Sequence, residues 1–525
     1  MPPKPNVVLA AEGVAVRFPR AARDAVHDVS LSIHAGEKLA LIGPSGSGKT
    51  TLALALLGAI PQLVPAARRG EVRWAGLGDR LLAAGTGIAA AVLQDTDAQL
   101  VALTVEDEIA FALENRGLAA VDIDARIESA LARAPGAGLV RRDRTLTLSG
   151  GGRQRLALAA ALAETPGTLV IDEPVAHLDG EAAADAVAAV DATCRAGTAA
   201  LLVEHRIDHI AHLADRVLVL GPDGGPVALG ETEATLRAIA DLDGTLGLRL
   251  PPSLVVSTAL AKAGLEKDAP RALAVALSVL GFDRPKPGVR GTPLLAIERA
   301  MVRRGGKMVL HQVDLSIREG EVVGLAGRNG AGKTTLALLA VGGLRAAAGG
   351  VRRSVQYAPI YVPQNPALVF ATGSLQMEAA RRRLSWQGAA AAIERCGLPA
   401  DPERHPLAFS HGERRRIAIA LALATPGPRL VVLDEPASGL DGFGLAALEA
   451  DIEALRARGS AVLVVAHDLD FLARVADRIA VMESGRILAD RPSLDTLRDA
   501  AAGQLPLKVP PGAALAARFG WNFKT

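Results

Sequence analysis

The sequence is poor in several features that mark particular classes of protein. Only two cysteines, Cys194 and Cys396, occur among the 525 residues, and they lie far apart. They form no metal-spaced pair, which argues against a zinc or iron–sulfur module and favours a reducing compartment. Aromatic residues make up only 3% of the chain, so aliphatic side chains must pack its cores. The formal net charge of +2 indicates no overall attraction for nucleic acid.

Long apolar stretches are also missing. Residues 1–5 lack the basic and then apolar pattern of a signal peptide. No segment has about 20 uninterrupted apolar residues, the length that a membrane-spanning helix needs. The run at 52–67 comes nearest, but Pro61 and Pro65 interrupt it. We therefore expect a soluble protein without a membrane span, able to dock onto a membrane partner.

The chain consists of two related halves. The stretch HDVSLSI at 27–33 returns as HQVDLSI at 311–317. A repeat of this length indicates a duplicated domain, as the length of the chain also suggests. A Pro-Pro segment follows each half, LPP at 250–252 and VPP at 509–511. We predict a first domain at 1–245, its appendage and a linker at 246–290, a second domain at 291–500 and a short appendage at 501–525.

A glycine-rich loop between an apolar strand-like run and an apolar helix-like run is the strongest local pattern. It reads GPSGSGKTT at 43–51 and GRNGAGKTT at 327–335, and both copies fit the phosphate-binding pattern G-x-x-x-x-G-K-[ST]. Glycines let backbone N–H groups point at phosphate oxygens, the lysine reaches the β- and γ-phosphates, and the threonine ligates Mg²⁺. The predicted phosphate-binding residues are Gly43, Ser45, Gly46, Gly48, Lys49, Thr50, Thr51, Gly327, Asn329, Gly330, Gly332, Lys333, Thr334 and Thr335.

Each half also contains an apolar strand that ends in Asp-Glu-Pro. Asp172 and Asp434 end these strands and are positioned to hold Mg²⁺, directly or through water. The adjacent Glu173 and Glu435 could polarise a water molecule for attack on the γ-phosphate. Taken alone, such a pair is as often an ordinary strand-end turn. Downstream of a phosphate loop in both halves, it favours catalysis.

A Ser/Gly turn that opens an alanine-rich helix precedes each of these strands. The two turns read LSGGGRQR at 148–155 and FSHGERRR at 409–416. A helix N-terminus attracts anions, although a simple capped helix would fit one copy taken alone. The candidate phosphate-contacting residues in the turns are Ser149, Gly150, Gly151, Ser410 and Gly412.

Together these motifs resemble those of the ATP-binding domains of ABC transporters, fused here as a pair. The resemblance implies an α/β fold of two P-loop NTPase (ABC-type) domains in tandem, each with a mainly parallel core sheet, an antiparallel β subdomain and a helical subdomain. It implies ATP and Mg²⁺ as cofactors. It assigns Gln94 and Gln364 to the Q-loop as magnesium residues, and His205 and His467 as switch histidines that contact the γ-phosphate. Asp179 and Asp441 match the family's D-loop.

In this family each ATP lies between the phosphate loop of one domain and the signature turn of the other. The resemblance thus implies one site of Lys49, Asp172, Glu173, His205, Ser410 and Gly412, and another of Lys333, Asp434, Glu435, His467, Ser149, Gly150 and Gly151. Two departures distinguish them. His411 replaces the first signature glycine, and Arg304 stands where the first half has Phe18 to stack on adenine. We expect both sites to hydrolyse ATP, at unequal rates.

The stretch at 93–115 resembles the Q-loop and following helix of energy-coupling factor (ECF) transporter ATPases. This resemblance implies a transmembrane T-component and a substrate-binding S-component as partners, uptake of a vitamin or transition-metal ion, and a peripheral location on the cytoplasmic face of a bacterial cell membrane. We expect an acidic patch beside the Q-loop to bind a basic coupling helix, with a solvated helix face as the alternative. The patch residues are Asp97, Glu106, Asp107, Glu108 and Glu114.

Two other functions share parts of this pattern. One is the fused ATPase of a conventional ABC importer, for example of the monosaccharide type. The other is a soluble tandem ABC factor that acts on ribosomes, which would need a long basic linker to approach RNA. The segment 245–281 contains no basic run, so no nucleic-acid partner is expected.

Overall fold

Two units divide the chain, the first ending at Pro251 and the second beginning at Pro252. The structure is a computed structural model. It describes residues 6–75, 87–94, 96–133, 138–173, 180–204, 207–265, 271–282, 291–354, 358–409, 411–425, 430–507, 512 and 514–515.

The first unit combines nine strands and ten α-helices in its described residues. Its strands are β1 (Val7–Arg17), β2 (Val26–His34), β3 (Lys38–Ile42), β4 (Ala67–Trp74), β5 (Ala89–Val92), β6 (Thr168–Asp172), β7 (Ala199–Glu204), β8 (Arg216–Leu220) and β9 (Pro226–Glu231). Its helices are α1 (Lys49–Leu56), α2 (Ala59–Gln62), α3 (Thr96–Gln99), α4 (Val105–Asn115), α5 (Ala120–Arg133), α6 (Gly150–Ala163), α7 (Gly180–Arg195), α8 (Ile207–Ile210), α9 (Thr232–Ile239) and α10 (Asp243–Leu246), with 3₁₀ turns at Thr145–Thr147 and Ala240–Leu242.

The second unit repeats this order after two additional helices. Its strands are β10 (Pro293–Arg304), β11 (Lys307–Arg318), β12 (Val322–Gly327), β13 (Ala348–Arg353), β14 (Ile360–Val362), β15 (Leu430–Asp434), β16 (Ala461–Val465), β17 (Arg478–Glu483) and β18 (Arg486–Pro492). Its helices are α11 (Pro252–Lys262), α12 (Ala272–Leu280), α13 (Lys333–Val341), α14 (Leu375–Arg381), α15 (Trp386–Arg395), α16 (His411–Ala424), α17 (Gly442–Ala457), α18 (Leu469–Val475) and α19 (Ser493–Ala501), with 3₁₀ turns at Pro366–Val369 and Pro406–Ala408.

The two units have the same pair of sheets. An antiparallel sheet has the order β2-β1-β4 in the first unit and β11-β10-β13 in the second. A six-stranded sheet has the order β5-β6-β7-β3-β8-β9 in the first unit and β14-β15-β16-β12-β17-β18 in the second. All neighbours in the large sheets are parallel except the last pair of each. The predicted α/β fold with two tandem P-loop domains is therefore confirmed.

The central strands of the large sheets are apolar throughout because both of their faces are covered. Every residue of β6, β7, β15 and β16 is buried. The strand before each phosphate loop is separated from the strand that ends in Asp-Glu by one intervening strand. Since these strands are parallel, the phosphate loop and the carboxylates lie at the same edge of the sheet.

A separate helical core lies beside each large sheet. In the first unit α4, α5 and α6 pack through aliphatic side chains such as Ile109, Ile127 and Leu156. The second unit has the corresponding cluster, which includes Ile393 and Leu421. These are the predicted helical subdomains, and they carry the segments between the phosphate loop and the Asp-Glu strand.

Helices α11 and α12 pack within the second unit. Val256 and Leu260 of α11 form a small cluster with Ala276 of α12, against which Leu515 also packs. Phe282 joins the main core of the second unit. The assignment of 246–290 to the first half and a linker stays a prediction. None of the helices in the described ranges combines the length and the hydrophobicity that crossing a bilayer requires.

The predicted acidic patch is wrong in one residue, because Glu108 points into the protein. Its side chain is 7% exposed, and Oε2 accepts the N–H groups of Val101 at 2.9 Å and Ala102 at 2.7 Å. Glu106 is half-buried and paired with Arg141 at 3.0 Å. A buried carboxylate needs such donors, so Glu108 holds the segment after the Q-loop against α4.

The remaining members of the patch differ in their exposure. Asp107 and Glu114 are exposed, whereas the side chain of Asp97 lies outside the described part of the structure. The second unit repeats the buried contact with Glu378, whose Oε2 accepts the N–H group of Ala371 at 3.2 Å. The surface beside the first Q-loop is thus less acidic than its sequence suggests.

Replacing Glu108 with glutamine should therefore destabilise the first unit. The change replaces a buried carboxylate that accepts two backbone N–H groups with a neutral amide, and we expect a loss of about 2 kcal/mol. Hydrogen exchange by mass spectrometry should show faster exchange across residues 96–110. The control Glu114→Gln, at an exposed position of the same helix, should leave exchange unchanged. Unaltered exchange in Glu108→Gln would contradict this structural role.

Candidate functional site

Each glycine-rich loop adopts a backbone that only glycine adopts without strain. Gly46 and Gly48 have φ angles of +80° and +83°, and Gly330 and Gly332 have +81° and +102°. A Cβ atom at Gly48 would lie 2.4 Å from the carbonyl oxygen of Ala25. The tight turn ends at the first residue of α1 or α13, so the loop leads directly into a helix N-terminus. This is the arrangement in which backbone N–H groups bind phosphate.

The lysine of each loop folds back over the loop. Lys49 Nζ donates to the carbonyl oxygens of Gly43 and Pro44, both at 2.8 Å. Lys333 makes the same pair of contacts in the second loop, at 2.7 and 3.1 Å. The ammonium group is thereby held against the backbone where phosphate oxygens would bind. The other predicted loop residues differ in burial, since Ser45 and Asn329 are exposed, Thr51 is half-buried and Thr335 is buried.

A hydrogen bond joins each loop to the end of the Asp-Glu strand. Thr50 Oγ1 donates to Asp172 Oδ2 at 2.6 Å, and Thr334 Oγ1 donates to Asp434 Oδ2 at 3.0 Å. A hydroxyl and a carboxylate at this spacing are the hard oxygen ligands that Mg²⁺ prefers. These residues fit the predicted metal site in both halves.

The two predicted catalytic glutamates have a strained backbone. Glu173 has a φ of +59° and Glu435 a φ of +51°, which side-chain-bearing residues adopt rarely. The N–H group of each bonds to the neighbouring strand, to Val203 O at 2.9 Å and to Val465 O at 2.8 Å. Such local strain is found at functional sites, where the surrounding structure holds it in place.

Each of these glutamates has a side-chain partner among the described residues. Gln94 Nε2 donates to Glu173 Oε1 at 2.8 Å, which links the first Q-loop to the carboxylate. In the second half a hydrogen bond of 2.9 Å joins His467 Nδ1 and Glu435 Oε2. The side chain of Gln364 is exposed. The structure thus brings Gln94 next to Glu173 and His467 next to Glu435. His205 and Asp179 lie outside the described residues.

Burial and charge shift the pKa values of both carboxyl groups at the end of β15. Burial raises the pKa of Asp434, and the neighbouring Glu435 carboxylate adds to the shift. Burial also opposes the ionisation of Glu435, but His467 and the cations Lys333 and Arg415 outweigh it, so the pKa of Glu435 is lowered. Two adjacent buried carboxyl groups are a favourable environment for a divalent cation.

The first signature turn is a capped helix start with an accessible backbone. Ser149 Oγ accepts the N–H group of Gly152 at 3.1 Å and caps α6. Gly150 is exposed, and a Cβ atom there would meet nothing within 4 Å. Gly151 is half-buried in the same turn.

The second signature turn is described only in part. Ser410 lies outside the described residues, and His411 and Gly412 are described only as the first helical residues of α16. Asp441 of the second D-loop is buried and caps α17, where its Oδ1 accepts the N–H group of Gly444 at 2.7 Å.

The predicted adenine contact differs between the halves. Phe18 directly follows β1 and is half-buried, with its ring against the aliphatic core of the first unit. Arg304 is the exposed last residue of β10. The first half thus has an aromatic ring at the position predicted to contact adenine, and the second half has a guanidinium group there.

Buried polar side chains near the glutamates were missed by the sequence patterns. Arg415 in α16 is 1% exposed, and it donates to Gln364 O at 2.6 Å and to Ser438 O. Gln154 occupies the corresponding place in α6 and donates to Glu173 O at 2.8 Å. Their common position, five residues after the signature serine, is the sequence signal that could have revealed them.

A tyrosine at the second metal site was also missed. The hydroxyl of Tyr361 donates to Asp434 Oδ2 at 3.1 Å. Burial, together with the charge of Asp434, raises the pKa of this phenol, so it stays protonated at neutral pH. Its place three residues before Gln364 on a short strand gave no functional signal.

Comparison with known proteins identifies both halves. Residues 26–176 and 310–438 match the family model described as "ABC transporter". A Streptomyces avermitilis protein named "Putative ABC transporter ATP-binding protein" is 33% identical over 532 residues, spanning 93% of this chain and 94% of that protein. "Putative HMP/thiamine import ATP-binding protein YkoD" of Bacillus subtilis is 28% identical over 512 residues, spanning 92% and 91% of the two chains.

A solved structure resembles the fold of the whole chain. An archaeal ribosome recycling factor, in complex with a ribosomal stalk protein, superposes with a TM-score of 0.61 and covers 94% of this chain and 92% of that one. The sequence identity is 20%, so this likeness concerns the fold alone.

Replacing Arg415 with glutamine, the residue of the first half, should destabilise the second unit. Two backbone carbonyls would lose a charged donor, and we expect a cost of about 3 kcal/mol. Urea denaturation of the full chain should show the second unit unfolding at a lower concentration. The matched control Arg345→Gln changes an exposed arginine of the same unit and should have no effect. Equal stability of the two variants would contradict a role for Arg415 in holding these loops.

Proposed function

Because the chain belongs to the ABC transporter family and is a tandem ATPase, we propose that it powers uptake of a vitamin or a transition-metal ion through an ECF-type membrane transporter. In this proposal the chain binds Mg²⁺ with ATP at both sites. It docks onto a transmembrane T-component, and a separate S-component captures the cargo. The protein acts at the cytoplasmic face of a bacterial cell membrane.

The hydrogen bond between Gln94 and Glu173 is the observation that carries this proposal. Gln94 lies two residues after β5. The chain continues through α3 into the segment at 100–104, in which Val101 and Leu103 are exposed. A partner that moves this segment would therefore move a side chain that touches the predicted catalytic carboxylate. Such a link couples ATP hydrolysis to movement in a bound partner.

The residues of each half have distinct roles in the proposed hydrolysis. Mg²⁺ held by Thr50 and Asp172 would supply charge stabilisation at the phosphates. Lys49 neutralises the negative charge that accumulates on the β- and γ-phosphates, and loop N–H groups position them. Glu173 accepts a proton from the attacking water. Thr334, Asp434, Lys333 and Glu435 have the same roles in the second half.

The surface proposed to receive the membrane partner is mainly apolar. In the first unit Leu103 is 72% exposed, with Val101 and Leu146 also exposed. Thr145, next to Leu146, bonds to the carbonyl of Leu103 at 3.1 Å, so the two exposed leucines lie on adjoining segments. Exposed aliphatic side chains near the exposed Asp107, in the first turn of α4, suit an amphipathic helix that carries some basic residues.

The second unit has a counterpart of this surface. Leu368 is 76% exposed, and Met377 and Leu407 of the same helical subdomain are also exposed. Backbone hydrogen bonds from Leu375 and Gln376 to the segment at 402–404 join the regions that carry Met377 and Leu407. Two apolar surfaces in one chain support a membrane partner with two coupling helices. The similarity to a Bacillus subtilis protein named for HMP/thiamine import supports a vitamin as cargo.

The first test separates the two catalytic glutamates. Glu173→Gln and Glu435→Gln should each abolish turnover at one site, because a general base contributes about 10²- to 10⁴-fold to the rate. We expect the two variants to keep unequal steady-state ATPase rates, since the cation Arg415 helps to lower the pKa of Glu435 and the corresponding residue of the first half is the neutral Gln154. Equal residual rates would refute the inequality, and full activity in either variant would remove that glutamate from catalysis.

The second test addresses the membrane partner. Leu103→Asp combined with Leu368→Asp should weaken binding to the membrane complex at least about tenfold, because burying an aliphatic side chain contributes about 1.5–3 kcal/mol. Pull-down from solubilised host membranes, with mass spectrometry of the polytopic proteins and of any small molecule bound to them, measures this. Basal ATPase activity should be unchanged.

A matched control is Leu488→Asp, which changes an exposed leucine on β18. It should not affect binding. Unchanged recovery of the membrane proteins by the double variant would refute the docking surface. Salt-sensitive recovery of RNA with the parental chain, without membrane proteins, would favour a ribosomal function instead.

A further inference from the structure

A tyrosine on β14 reaches the metal-binding aspartate of the second half. Tyr361 pairs with Val432 across the parallel strands β14 and β15, and Asp434 follows Val432 by two residues. The phenol hydroxyl donates to Asp434 Oδ2 at 3.1 Å. Tyr361 is half-buried, and its ring packs against the aliphatic core of the unit. The ring is therefore held in place by packing that does not depend on the hydroxyl.

Two donors from different elements converge on one oxygen atom of Asp434. Thr334 Oγ1, at the start of α13, donates to the same Oδ2 at 3.0 Å. Within the described part of the chain, both side-chain hydrogen bonds to this carboxylate end on Oδ2. Oδ1 is then the oxygen that is left for a cation or for a water molecule bound to it. Thr334 is itself a predicted Mg²⁺ ligand, whereas Tyr361 is not.

The first half lacks this contact. Ala91 pairs with Val170, which precedes Asp172 by two residues, so Ala91 stands at the register position of Tyr361. The threonine–aspartate contact is present in both halves. An alanine side chain has no hydroxyl, so this register position supplies a donor in the second half and none in the first.

We propose that Tyr361 is a positioning residue that holds the Asp434 carboxylate in the orientation that binds Mg²⁺. The second site then has a higher affinity for Mg²⁺ than it would have without the tyrosine. This inference rests on the proposed function, in which Mg²⁺ binds with ATP at Thr334 and Asp434. A carboxylate already held in one orientation loses less freedom when it binds a cation. Outer partners of metal ligands typically change metal affinity about 10- to 100-fold when they are removed.

Binding of Mn²⁺ as a probe for Mg²⁺ tests this directly. The full-length chain would be titrated with Mn²⁺ in the presence of a non-hydrolysable ATP analogue, with free Mn²⁺ followed by electron paramagnetic resonance. A Lys49→Ala background restricts nucleotide binding to the second site, and a Lys333→Ala background restricts it to the first. Tyr361→Phe should raise the Mn²⁺ dissociation constant of the second site about tenfold and leave that of the first site unchanged.

Two further measurements distinguish the effect of the Tyr361 hydroxyl from the effect of its ring. Tyr361→Phe keeps the ring and loses one hydrogen bond, so the thermal unfolding midpoint of the metal-free chain should fall by only a few degrees. Tyr361→Ala supplies the residue of the first half and should weaken Mn²⁺ binding at least as much as Tyr361→Phe.

An unchanged dissociation constant in Tyr361→Phe would overturn the proposal, and a loss confined to Tyr361→Ala would assign the effect to packing of the ring. Absence of nucleotide-dependent Mn²⁺ binding in the parental chain would instead refute the proposed function, before Tyr361 is tested at all.

Discussion

The hydrogen bond between a loop threonine and a strand-end aspartate is the contact on which each site depends. It joins Thr50 to Asp172 and Thr334 to Asp434 across the edge of the large sheet. The contact is possible because the loop strand and the Asp-Glu strand are parallel and are separated by one strand, so their carboxyl ends lie at the same level. The strained backbone of the adjacent glutamate is held by the same intervening strand, which accepts its N–H group.

The two halves share this geometry, but the surroundings of the predicted catalytic carboxylate differ in charge. Gln94 of the Q-loop bonds to Glu173, and His467 bonds to Glu435. The charged Arg415 replaces the neutral Gln154 behind the glutamate, and its positive charge helps to keep Glu435 ionised despite burial. Duplicated domains that retain the same backbone geometry can thus diverge in electrostatics through single side chains. This is the physical basis for the predicted inequality of the two sites.

The helical subdomains connect these sites to the surface. Buried Glu108 and Glu378 hold the segment that follows each Q-loop against the next helix, because their carboxylates accept backbone N–H groups of that segment. The segment itself presents aliphatic side chains to solvent. A firmly held segment with an apolar outer surface can transmit force between a docked helix and the Q-loop. Hydrophobic contact, with charge in a minor role, is therefore the proposed basis of recognition.

The sequence by itself determined the fold class, the duplication and the residues of the glycine loops, because these depend on local patterns. The glycine pattern of each loop and the apolar strand that ends in Asp-Glu can be recognised in the sequence. The loop glycines then adopt the positive φ angles that the pattern predicts. The predicted strand-end carboxylates also lie where parallel strand topology requires. Only the tertiary structure decided that Glu108 is buried, that Arg415 reaches Gln364 and that Tyr361 reaches Asp434. Each of these contacts joins residues from different segments, and the direction of a side chain depends on packing between elements that no local pattern records.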